Sequence, residues 1–139
     1  MNFAEERAAI ESRFSELFTA APIAWENVAE SAEVQAAKGS AQPWVRLSIR
    51  NGDSLTSAIG GATGGDILAL HQGRIWVQVF AAEGTGTQTA RQLADTARDV
   101  YRQARFSGIK CYEPSMSAAG VSDGWYQINV SVPYRRYSL

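Results

Sequence analysis

One stretch constrains the fold of this chain more than any other. From Gly73 to Phe106 it reads GRIWVQVF, AAEGTGT and QTARQLADTARDVYRQARF. In the first part Ile75, Val77 and Val79 alternate with Trp76, Gln78 and Phe80, the period-two pattern of a half-buried strand. In the last part Ala90, Leu93, Ala94, Ala97, Val100, Tyr101 and Ala104 recur at spacings of three and four, which lays an apolar stripe along one side of a helix. The Gly-Thr-Gly-Thr turn between them breaks the strand and offers a threonine hydroxyl as helix N-cap. A strand feeding an amphipathic helix is a core-forming unit, and the other segments are expected to close around it.

At 139 residues the chain reads as one domain, residues 1–139, long enough to bury about 68% of its unfolded surface. Its net charge of -1 exerts no global pull toward nucleic acid or anionic lipid. The charge is unevenly placed, however. Through Glu33 there are seven acids (Glu5, Glu6, Glu11, Glu16, Glu26, Glu30, Glu33) against Arg7 and Arg13. From Arg91 onward there are seven bases (Arg91, Arg98, Arg102, Arg105, Lys110, Arg135, Arg136) against Asp95, Asp99, Glu113 and Asp123. Accident, internal pairing and complementarity between copies each account for such a split. The lone Cys111 excludes a disulfide framework within one chain. Glu5 and Glu6 near the start do not read as a secretory leader, and no segment approaches the roughly 18 apolar residues of a spanning helix. The chain reads as soluble.

Taken in order, residues 3–20 form an amphipathic helix, with Phe3, Ile10, Phe14, Leu17 and Phe18 on one side and Glu6, Arg13 and Glu16 on the other. Pro22 ends it. Residues 22–28 suggest a short extended segment, and residues 29–42 a loop or loose helical turn. Trp44–Arg50 alternates as a strand. Residues 51–66 hold five of the twelve glycines and read as a long loop, with Asp66–Leu70 leading through a turn at His71-Gln72-Gly73 into the central strand. Gly108–Glu113 reads as a further strand, 114–123 as a connection, and Trp125–Val132 as the last strand, stopped by Pro133 before a basic-aromatic tail. The pattern predicts an α+β fold: a mixed, mostly antiparallel sheet with two amphipathic helices packed on one face.

The other face carries Trp44, Trp76, Trp125 and Phe80 among Arg46, Arg50, Gln78 and Gln127. Aromatics and arginines among uncharged polar groups resemble interface composition; loops folding back over the rings are the alternative. Catalytic signals are weak. His71, the only histidine, reads as a surface turn residue remote from Cys111, and a single histidine excludes most zinc site classes. Asp95 and Asp99 share a helix face but interleave with Arg91, Arg98 and Arg102 at ion-pairing spacings. The Glu83–Thr87 turn lacks the lysine of a phosphate loop and the third glycine of a dinucleotide fingerprint. Eleven arginines beside an aromatic sheet face give modest support to nucleic-acid binding, against which stand the near-zero net charge and the acidic first third.

The segments PIAWENV, PWVRLSIRNGDS, GRIWVQVFAAEGTGT, ARQLADTARDVYR and SDGWYQINVSVPY, in this order, resemble a family of short phage and prophage tail proteins similar to the tail terminator of long, flexible-tailed phages. The resemblance covers about residues 10 to 135. It departs at residues 29–42, which are longer and more charged than the family's connector, and at Ala82, where proline is common.

The resemblance implies a non-enzymatic subunit, without cofactor or metal, that forms a hexameric ring on the head-proximal end of the tail tube. There it stops tube polymerisation and joins the head; gene transfer agents use similar parts. The implied partners are copies of itself, the tail tube protein and a head-completion or neck protein, with no membrane and no specific nucleic acid, though DNA passes through the ring. The implied location is the virion, after synthesis in the host cytoplasm. Residues expected at subunit or partner contacts are Glu11, Glu16, Trp44, Arg46, Arg50, Asp53, Trp76, Arg91, Arg98, Arg102, Trp125 and Arg135. In this scheme acids of the first helix face arginines of the second helix or tail in the neighbouring copy. The alternatives are another neck component, or a small ligand-binding or enzymatic domain using the tryptophan-bearing face.

Overall fold

The computed structural model describes residues 1–60 and 66–138. Its elements are α1 (Phe3–Leu17), β1 (Ile23–Trp25), α2 (Ala32–Gly39), β2 (Trp44–Gly60), β3 (Asp66–Ala82), α3 (Gln88–Tyr101), β4 (Arg105–Phe106), β5 (Ile109–Cys111), β6 (Ser115–Ser122) and β7 (Trp125–Ser138). The strands form one sheet in the order β1-β2-β3-β7-β5-β4, with β6 also paired to β7. Only β1–β2 is parallel among these pairs. The fold is the α+β class expected, with a third helix, α2, where residues 29–42 suggested a loop or loose turn.

Helices α1 and α3 cover one face. Val45, Leu47, Ile75, Val77, Val79, Ile128, Val130 and Val132 meet Ile10, Phe14, Phe18, Ala90, Leu93, Ala94, Ala97, Val100 and Tyr101 in the main core. The rings of Phe14 and Phe18 stack at 4.7 Å, and Tyr101 lies parallel to Phe14 at 6.0 Å. The buried Tyr101 hydroxyl donates to Ile10 O at 2.6 Å, tying α3 to α1. Burial pushes that phenol well above its ordinary pKa. Two residues placed on the apolar side of the first helix, Phe3 and Leu17, are exposed, because the sheet contact uses only the stripe through Ile10, Phe14 and Phe18.

Several boundaries differ from the sequence pattern. The glycine-rich 51–66 segment is strand at both ends: β2 runs on to Gly60 and β3 begins at Asp66, pairing as a long hairpin arm. Residues 61–65 of the expected loop lie outside the described residues. Two register shifts, between Asn51 and Ser54 and between Thr56 and Ala58, mark bulges that a two-period template does not anticipate. His71 is a strand residue, not a turn residue. Its Nδ1 and Nε2 lie 2.7 Å and 2.8 Å from the hydroxyls of Ser54 and Ser138. Residues 115–122, expected as a connection, form β6. It returns into β7 through Asp123 and Gly124, both at positive φ (53° and 83°), the backbone a tight hairpin turn needs.

Pro133 does not end the last strand. It sits where β7 exchanges β6 for β5 as its neighbour, between the pairs Ser115↔Ser131 and Cys111↔Tyr134. The basic-aromatic tail is therefore the second half of β7. Its Arg136 is buried and pairs with Glu6 at 2.7 Å, each side chain 2% exposed. Asn51 Nδ2 also donates to Glu6, at 2.9 Å, and Arg136 donates to Met1 O. Glu6 thus leaves the polar side assigned to it and anchors the start of α1 onto the sheet. Asn2 and Glu5 complete that start as a capping box. At α3, by contrast, Thr87 holds the N-cap position without a side-chain hydrogen bond, and the hydroxyl of Thr85 donates to Ala82 O instead.

Candidate assembly surfaces

The face of the sheet away from α1 and α3 divides in two. At one end α2 folds over the rings. Its N-cap Ser31 accepts from Val34 N, and Val34 and Ala37 pack with Ala24 and Trp44 as a second small core, against which Phe80 and Trp125 lie. Trp44 stacks on Phe80 at 4.1 Å and meets Trp125 edge-on at 6.1 Å. Lys38 Nζ lies 4.3 Å and the Arg46 guanidinium 5.4 Å from the Trp44 ring centre. Both cations approach Glu30, which pairs closely with Lys38 and lies 3.9 Å from Arg46. Trp44, Arg46 and Trp125, expected at a partner contact, serve the subunit's own folding here.

At the other end nothing folds back among the described residues. A groove of about 650 Å³ opens there, lined by Arg50, Asp53, Arg74, Trp76, Tyr112 and Arg135 with neighbouring backbone. Arg50 sits over Trp76 at 4.4 Å. Arg74 donates to Ser131 Oγ at 2.9 Å. Arg135 lies 5.3 Å from the Tyr112 ring and 5.7 Å from that of Tyr137. The indole N–H of Trp76 and the hydroxyl of Tyr112 are buried without a hydrogen-bond partner. Asp53 sits in the bulge of β2. Four of the residues expected at contacts, Arg50, Asp53, Trp76 and Arg135, thus share one groove.

The remaining five lie on the helix layer. Glu11 pairs with Arg7, and Glu16 is exposed. The pairs expected along α3 (Arg91–Asp95, Asp95–Arg98 and Asp99–Arg102) do not form. Arg98 approaches Asp99 at 3.7 Å and Arg102 reaches Glu113 at 3.3 Å. Hydrogen bonds from Gln103 and Arg102 hold the Glu113 carboxyl below its ordinary range. Arg74, Tyr112 and Lys110 are not among the expected contact residues. Arg74 shares the parity of Trp76, and Lys110 that of Tyr112, so alternation along the expected strands places both pairs, but of the four only Trp76 belongs to the expected aromatic face.

No group of histidine, cysteine, aspartate or glutamate side chains among the described residues is arranged to hold a metal ion. Cys111 is buried in β5, and burial pushes its thiol from 9.0 up to about 12. None of the described helices is long and apolar enough to cross a membrane.

A family model described as phage tail terminator protein matches residues 6–134. A solved structure of a protein carrying only a sequence identifier superposes with a TM-score of 0.67 at 21% identity, covering 98% of this chain and 96% of that one. At this identity the likeness shows a shared fold. Among curated proteins, none matches.

Proposed function

The chain belongs to the phage tail terminator family, a structural component of the tail, and on that premise we propose that it assembles as a ring on the head-proximal end of the tail tube. There it ends tube polymerisation and forms the joint to the head. The observation that carries this reading is the family match over residues 6–134, which takes in every element except the last residues of β7 and the start of α1.

The subunit's shape suits the task. A ring needs a heterologous contact in which one surface of a subunit meets a different surface of the next. In this proposal Glu11 and Glu16 on α1 meet Arg91, Arg98 and Arg102 on α3 of the neighbouring copy. The β2–β3 arm, whose β2 edge has β1 for a neighbour only at Val45, Arg46 and Leu47, reaches toward tube or neck partners by backbone pairing. The full set of contacts is a hexamer of this chain, the tube protein and a head-completion protein.

Light scattering behind size exclusion, with and without short tube segments, tests the ring. The expected result is a species of about six subunits, C-type closure being the common outcome of head-to-tail contacts. The double charge reversal Arg98→Glu/Arg102→Glu shifts it toward smaller species. Full assembly by that variant removes the α1–α3 contact from the proposal, and an enzyme-like saturable ligand shift with no assembly removes the ring.

A further inference from the structure

The uncovered end of the sheet carries three cross-strand pairs of like charge. Arg50 stands directly opposite Arg74 on β2 and β3, and Lys110 of β5 stands directly opposite Arg135 on β7 and, on its other side, Arg105 on β4. Like charges in that position destabilise a sheet. None of these five has a salt-bridge partner among the described residues. Asp53 is the one carboxylate lining the same groove. Since β2, β3, β7 and β5 are consecutive in the sheet, the four cations on these strands cross it as a band roughly 15 Å wide at the usual strand spacing. In a chain of net charge -1, so local an excess of positive charge is built for an anion outside the subunit.

We infer that this band is a contact surface for the phosphate backbone of DNA, engaged without regard to base sequence. Three features favour phosphate. The guanidinium groups are propped rather than free: Arg50 on Trp76, Arg135 between Tyr112 and Tyr137, Arg74 on Ser131. Propped forks lose less entropy on binding and suit phosphate geometry. Aromatic rings interleave with the cations, as on nucleic-acid-binding sheet faces. Finally, a second copy offers no matching row of carboxylates. Glu30 and Glu113 are already paired with bases, and Glu11, Glu16, Glu26, Glu33, Glu83, Asp95, Asp99 and Asp123 are dispersed over α1, the β1–α2 connection, α2, the turn before α3, α3 itself and the β6–β7 turn. The band lies within one subunit, so the inference stands or falls apart from the ring.

The test is fluorescence anisotropy of a labelled duplex of arbitrary sequence with the full chain, from 50 to 200 mM salt. If four cations engage phosphates, affinity falls roughly 150-fold across that range, and about 12-fold for Arg74→Gln/Arg135→Gln. The control Arg7→Gln/Lys38→Gln removes equal charge from α1 and α2, outside both the band and the proposed ring contact, and keeps the wild-type dependence. Should the first double variant fail to fold, Arg50→Gln/Lys110→Gln carries the same expectation. Equal salt dependence for the two double variants overturns the inference, as does absence of binding at 50 mM. Loss of self-association in the band variants with unchanged DNA binding overturns it too, and assigns the band to carboxylates of a second copy.

Discussion

The two ends of the sheet's second face are made of the same materials and meet different fates. Each has a tryptophan with a cation over its ring: Lys38 and Arg46 on Trp44, Arg50 on Trp76. At the Trp44 end α2 supplies apolar cover and Glu30 balances the charge, so the ring becomes core at 3% exposure. At the Trp76 end no element among the described residues closes over the ring, and the cations have no salt-bridge partner among them. Composition alone does not make a binding surface. What distinguishes the ends is whether the chain spends its own residues to cover and neutralise the face, and residues 29–42 do so at only one of them.

This contrast can be broken from the reverse side first. The strands of the open end are held from behind by the buried Glu6–Arg136 pair. Glu6→Ala strands an uncompensated guanidinium and is expected to cost about 3–5 kcal/mol, read as a shift in urea midpoint. Trp44→Ala is expected to cost a similar amount, about 3–5 kcal/mol, by opening a cavity under α2. Trp76→Ala, at the half-buried end, is expected to cost about 1–3 kcal/mol because less area is lost from contact. Equal penalties for the two tryptophans would erase the distinction between the ends.

A smaller test lies at Gly73, where an added Cβ would meet the Tyr134 hydroxyl at 2.5 Å. Tyr134 is itself buried, so Gly73→Ala is expected to cost about 1–3 kcal/mol from overpacking. Alkaline titration probes the covered face. With its thiol raised to about 12 in the fold, Cys111 ionises first in the unfolded chain. The unfolded state then binds fewer protons, and stability falls as pH rises above about 9. Denaturant midpoints at pH 8, 9 and 10 read this decline, and a thiol reagent at pH 8 should react only on unfolding. The smallest effect carries the opposite sign. Lys110→Gln relieves repulsion with Arg135 and is expected to leave stability unchanged or raise it by about 0.2–1 kcal/mol at low salt.

Much of the fold was legible because burial imposes period. Strands 44–50, 75–80 and 125–132 and the stripe of α3 follow from alternation and helical spacing, and those residues fill the main core. Legibility failed where pairing, not burial, sets the structure. Residues 51–56 of β2 and nearly all of β6 are exposed, so they carry no apolar alternation, and glycine and serine there signal loops. Arg136 and Glu6 read as surface charges because each is tolerated inside only through the other, 130 positions away. The layout of the second sheet face was half legible. Parity placed Arg50, Trp76 and the Trp44 cluster on one face, but whether α2 would cover one end was invisible from strand patterns alone.

The most direct test of the tail-cap account is to let tail tube protein polymerise with and without this chain and measure tube lengths by negative-stain electron microscopy. The account predicts that substoichiometric amounts stop elongation, leaving short tubes that each carry one ring at a single end. Tubes of unchanged length, with no density added at either end, would contradict it.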